Sequence, residues 1–211
     1  MTTSAKQRQK QIEKRAKKRK LAKRSSGGGI RANQARAYLN LPIHECLVPS
    51  TLFETGLGTL LASRKIAAGQ YAVSSFLVDV FCLGVKNAFF TVLDEAEYEE
   101  GLKREILLTL DGAELTLFHQ TCFKKLVTGA RRYADDLGFP PHPDYKGAIA
   151  LLDDIDPAAC PERFDYGQGG KPFYIRGPGE SSSRAKRIVD QLERRCGPGN
   201  FHMLVTTGPI D

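Results

Sequence analysis

The chain has 211 residues, a formal net charge of +7, 41% apolar composition, five cysteines and no tryptophan. That length and apolar content suit one hydrophobic core with an extension rather than several domains. No run approaches the roughly 18 apolar residues of a membrane helix. The longest, Phe76 to Val85, is broken by Asp79, and the basic N-terminus is followed by Ser25, Ser26 and three glycines instead of a secretory signal's apolar segment.

The charge is divided unevenly. Met1 to Arg24 holds eleven Lys or Arg against the single acid Glu13, so this segment carries +10 and the remaining 187 residues carry −3. Its cations, Lys6, Arg8, Lys10, Lys14, Arg15, Lys17, Lys18, Arg19, Lys20, Lys23 and Arg24, are the candidate nucleic-acid-binding residues. Closely spaced cations gain free energy by releasing counterions from phosphates, without any fixed fold. The segment has no aromatic residue for stacking, so little sequence preference is expected, with RNA the expected partner ahead of DNA. A solubility tail, or an arm for acidic protein or anionic lipid, is the alternative. Ile12, Ala16 and Leu21 are too few to bury a face, which predicts a disordered or partly helical arm over 1–29, with SSGGG at Ser25–Gly29 as a hinge.

Beyond the hinge the pattern predicts a single α+β domain over 36–211, with a mainly antiparallel sheet packed by helices. Thr59 to Leu93, rich in Val, Leu, Phe and Tyr, reads as a β-meander or hairpin. Asp94 to Ile106 opens on a capping acid and ends in Lys and Arg, as a helix should. Leu115 to Leu137 repeats apolar residues at three- and four-residue spacing and predicts the main helix, stopped by Gly138. A short helix follows at Tyr145 to Leu152. FDYGQGGKPFYIRG reads as two strands joined by a glycine turn, Ser182 to Arg195 as a last helix, and FHMLV as a closing strand.

Cys46, Cys82, Cys122, Cys160 and Cys196 are odd in number and scattered, which predicts reduced thiols and a cytoplasmic protein, with the nucleoid or ribosome as addresses. GLGTLL at Gly56–Leu61 lacks the third glycine of a dinucleotide fingerprint and runs into a strand. GQGGKP at Gly167–Pro172 lacks the first glycine and the Ser or Thr of a phosphate loop and reads as a hairpin turn. His44 with Cys46, and His119 with Cys122, offer four soft ligands for zinc, against a plain packing role for each. Neither the nucleobase-deaminase signature nor a nucleophile elbow is present.

Asp79 stands inside FLVDVFCLGVK, seven residues before Lys86. A carboxylate in a buried strand is expensive unless it is paired or metal-bound. One reading makes it a catalytic metal ligand or general base, with Glu54, Lys86, His119 or His142 as helpers and a divalent metal as cofactor, in a phosphodiester-cleaving site. The other makes it a strand-ending residue that accepts turn hydrogen bonds or pairs with Lys86. His142 sits in PPHPD beside Asp144 and reads as a turn residue or a helper of that site.

PIHECLVPSTLFETGLGTLLASRKI, FLVDVFCLGVKNAFF, ADDLGFPPHPDY and GKPFYIRGP together resemble an uncharacterised bacterial protein family marked by F-L-V-D-x-[FY]-C-L-G-V-K. Some of its members carry a Cys-rich SEC-C metal-binding tail, which has no counterpart here. The resemblance covers most of the chain after Pro42, implies one integral domain from about residue 36, and brings no activity with it. Three functions are therefore carried forward: an RNA- or ribosome-linked binding or regulatory protein, a metal-dependent nuclease or phosphodiesterase centred on Asp79, and a protein-interaction module such as a toxin, immunity factor or adaptor.

Overall fold

The structure is a computed structural model. It describes residues 28–204 apart from 68 and 178, and no side chain before Ala32. The fold is α+β: a five-stranded antiparallel sheet with helices against both faces. Helix α1 (Gly28–Arg36) leads to β1 (Ile43–Pro49), the short α2 (Leu52–Thr55), β2 (Leu57–Ile66), β3 (Gln70–Asp79) and β4 (Gly84–Asp94). A π-helical segment, Glu97–Lys103, continues into α3 (Arg104–Leu107), and β5 (Leu115–Leu117) precedes the long α4 (Gln120–Asp136). Helix α5 (Tyr145–Ile149), β6 (Phe173–Ile175), α6 (Ser182–Cys196) and β7 (His202–Leu204) follow within the described residues. The sheet order is β4-β3-β2-β1-β5, and β6 and β7 pair separately.

Strand alternation divides the sheet into two cores. Leu60, Phe76, Val78 and Ala88 turn to one face, where Phe123, Leu126, Val127 and Ala130 of α4 and Tyr145 and Ala148 of α5 cover them. Leu61, Tyr71, Val73 and Leu93 turn to the other, beneath Tyr98 and Ile106. A third cluster at the β3–β4 turn joins Cys82 and Leu83 to Tyr174 and to Ala185, Ile188 and Leu192 of α6. Gly84 permits the close approach of α4 there. Its φ is +62°, and a β-carbon would lie 2.6 Å from the Ala134 Cβ and 2.8 Å from the Ala130 carbonyl oxygen.

Several sequence expectations need correction. Helix α1 begins inside the segment read as a hinge, and β1 and α2 were not anticipated. The main helix starts at Gln120, not Leu115. The His119 side chain accepts from the Thr121 N–H as its N-cap, and Leu115–Leu117 is instead an edge strand paired with β1. The glycine-turn hairpin reduces to a single bridge, Gln168 to Lys171, while Phe173–Ile175 pairs in parallel with β7. Cys122 and Cys160 form a disulfide, so the described thiols are Cys46, Cys82 and Cys196. The pairing excludes zinc ligation by Cys122 and removes the five-thiol argument for a reducing compartment. None of the described helices is long and apolar enough to cross a membrane.

Candidate functional site

Asp79 ends β3, and its Oδ1 accepts hydrogen bonds from the Phe81 N–H at 3.1 Å and the Cys82 N–H at 2.9 Å. The residue is 7% exposed. Burial raises its pKa, and the opposing charge of Lys86 and the turn amides only partly counter that rise. The long Asp-to-Lys motif is thus a folding device: the carboxylate closes the turn, Gly84 admits α4, and Cys82 packs beneath α6.

The other proposed helpers are dispersed. The His142 N–H donates to the Val85 carbonyl oxygen at 2.9 Å, which brings the His142 backbone to the Lys86 end of β4. Its Nδ1 is occupied in accepting the Asp144 N–H at 3.2 Å. Glu54 is exposed on α2, and His119 is exposed at the start of α4. No hydrogen bond or ion pair joins Glu54 or His119 to Asp79 among the described residues. The eleven basic positions from Lys6 to Arg24 lie outside the described residues.

A second cluster sits where the π-helical segment crosses the sheet. A register shift between Ile43 and Glu45 accompanies a contact of His44 with Tyr71, ring centroids 5.0 Å apart. The Tyr98 hydroxyl donates to Glu45 Oε1 at 2.6 Å. His44, Glu45 and Glu99 bring ligand atoms within 4.8 Å of one another, the spacing of a cation site. Lys103 Nζ already stands between the two carboxylates, 3.0 Å from Glu45 Oε1 and 2.8 Å from Glu99 Oε2. Burial opposes the Lys103 charge, but the hydrogen bonds it donates to Glu99 and Glu45, with the charges of both, outweigh it and raise the pKa. The ammonium therefore holds the place a metal would take.

The third feature was not foreseen. Along the same sheet face, beyond the cover of Tyr98, a cleft of about 250 Å³ opens between the strands and the helix. Leu77, Phe89, Leu102 and Ile106 give it apolar walls, and Thr59, Ser75, Asn87, Glu105 and Thr109 supply its polar atoms. Two adjacent rungs form the floor: Thr59 pairs with Leu77, which pairs with Asn87, and Leu61 pairs with Ser75, which pairs with Phe89. The available signal was the phase of the polar residues within the strands, since Ser75 and Leu77 share one face while Phe76 and Val78 share the other. No protein-family model, curated protein or solved structure matches the chain.

Proposed function

We propose that the chain is a nucleic-acid-associated binding or regulatory protein, RNA- or ribosome-linked, in which the polybasic segment supplies affinity and the α+β domain supplies a surface for specificity or a protein partner. The observation that carries this reading is the charge division, +10 over residues 1–24 against −3 over the rest. A cation-dense segment beside a slightly acidic domain concentrates phosphate binding at one end of the molecule. A hydrolytic centre on Asp79 lacks comparable support. Its Oδ1 already accepts two turn amides, and neither Glu54 nor His119 is bonded to it.

Fluorescence anisotropy with a single-stranded RNA tests the proposal, using the full chain and a full-length variant in which the eleven Lys and Arg of residues 6–24 become Gln. The full chain is expected to lose affinity as salt rises, with a logarithmic slope of about −0.7 per phosphate contacted. The variant is expected to lose most of both affinity and slope. Undiminished, salt-resistant binding by the variant would move recognition into the folded domain, and no binding by either protein would end the reading.

A further inference from the structure

Thr59, Ser75 and Asn87 come from three neighbouring strands and enter one cleft, and none of their side chains has a hydrogen-bond partner among the described residues. Ser75 is the deepest member, 3% exposed, and what stays accessible of it faces the cleft. Its hydroxyl and the two polar groups beside it make no hydrogen bonds within the described residues and are open to a ligand that enters. Leu77 lies between Thr59 and Asn87 on one rung, which sets those two roughly 10 Å apart, with Ser75 about 7 Å along the strand from Leu77. The result is an apolar floor with polar groups at three corners, roofed by Leu102 and Ile106.

Size and charge narrow the ligand. A volume of about 250 Å³ is below the roughly 300–1,000 Å³ of drug-sized sites and selects a small molecule. No Lys or Arg lines the cleft, so phosphates and organic acids find no cation there. The floor between Leu77 and Phe89 suits a flat, uncharged ring. The Asn87 amide presents one donor and one acceptor side by side, the pairing that matches the N6 and N7 edge of adenine.

We infer that this cleft binds a neutral purine base of the adenine type, with Asn87 reading its amino edge and Ser75 and Thr59 bonding the remaining ring atoms. The source is either a free nucleoside or a base presented by a single strand. The inference rests on the cleft alone and stands or falls separately from the polybasic segment.

Isothermal titration of the full chain with adenosine tests it, inosine serving as the analogue that lacks the amino group. Adenosine is expected to bind saturably and more tightly than inosine, by about threefold to tenfold for one lost hydrogen bond. Asn87→Leu and the near-isosteric Ser75→Ala and Thr59→Val are each expected to weaken adenosine by a similar factor while the melting temperature confirms that the fold is retained. If adenosine alone does not bind, oligoadenylate is titrated at raised salt, where the polybasic segment is screened. Weakening by Asn87→Leu there supports the inference and assigns the base to a strand. Binding of both probes that is indifferent to Asn87→Leu and Ser75→Ala, or absent throughout, overturns it.

Discussion

Arg64 and Asp154 form an ion pair whose halves occupy different surroundings: the Arg64 side chain is 1% exposed and the Asp154 side chain 38%. Four of the five N–H groups of the guanidinium find acceptors. Its Nε donates to the Leu151 carbonyl at 3.1 Å, Nη1 to the carbonyls of Leu39 and Leu41, and Nη2 to Asp154. One side chain on β2 thus ties the segment after α1 to the segment after α5.

Replacing Arg64 tests that role. Arg64→Met leaves three carbonyls and a carboxylate without their donor and is expected to cost about 3–5 kcal/mol in chemical denaturation. Arg64→Lys retains the charge but not the planar fork, and a loss of about 2 kcal/mol is expected. A lysine variant as stable as the parent would show that charge alone suffices.

Asp79 offers a pH test. Burial raises its folded-state pKa above the unfolded value, so its favourable contribution is full below the unfolded pKa and is lost as pH rises through the folded one. Asp79→Asn preserves an acceptor for the Phe81 and Cys82 amides and removes the buried charge. The variant's melting temperature relative to the parent should therefore climb between pH 4 and pH 7, a window that starts near the ordinary carboxylate pKa of about 3.9. A difference that stays flat or shrinks over that window would contradict the burial argument. Asp79→Ala removes the acceptor as well, and a loss of about 1–3 kcal/mol is expected near pH 4, shrinking as pH rises.

The cysteines make a chemical prediction. Thiol titration of the unfolded, unreduced chain should find three reactive groups, and five after reduction, because Cys122 and Cys160 are bonded. In the native protein, burial pushes the Cys46 thiol up to about 12, so it should resist alkylation at neutral pH while the partly exposed Cys196 reacts first. Cys160→Ser is expected to cost about 4 kcal/mol by loss of the cross-link over 38 residues.

Gly84→Ala should be more damaging than its single methyl suggests. The left-handed backbone and the 2.6 Å approach to Ala134 both oppose a β-carbon, and together they predict a loss of about 2–5 kcal/mol by thermal or chemical unfolding. Stability within 1 kcal/mol of the parent, on the scale of ordinary surface changes of about 0.5 kcal/mol, would show that α4 can withdraw.

The meander was legible because its alternation is local: Leu60, Phe76 and Val78 announce a buried face through their own neighbours. Strand β1 was not, since IHECLVP mixes a histidine, an acid and a proline, and its pairing with β2 and β5 supplies what its composition does not. Leu115–Leu117 shares the apolar spacing of α4, and only the cap at His119 separates strand from helix. Asp79 was recognised as needing a partner, and the turn amides of its structural reading are present, while Lys86 acts on it as a nearby charge with no ion pair between them among the described residues. The cleft was invisible for a different reason. Thr59, Ser75 and Asn87 look like solvent-facing strand residues until the helix that roofs them is placed.

The β2–β3–β4 meander joins segments that are adjacent in the chain, with Ile66 opposite Gln70 and Asp79 opposite Gly84. Three further attachments span longer loops: β5 returns to β1, Arg64 reaches Asp154, and Cys122 meets Cys160. Short loops close at low entropic cost and long ones at higher cost. On a nascent chain the meander is therefore complete while the residues that will cover it are still being translated, and it acts as a template on which they settle in turn. The Cys122–Cys160 bond requires both of its segments to be in place. It seals an arrangement already reached, so a chain held under reductant should arrive at the same topology and differ only in how readily it lets go.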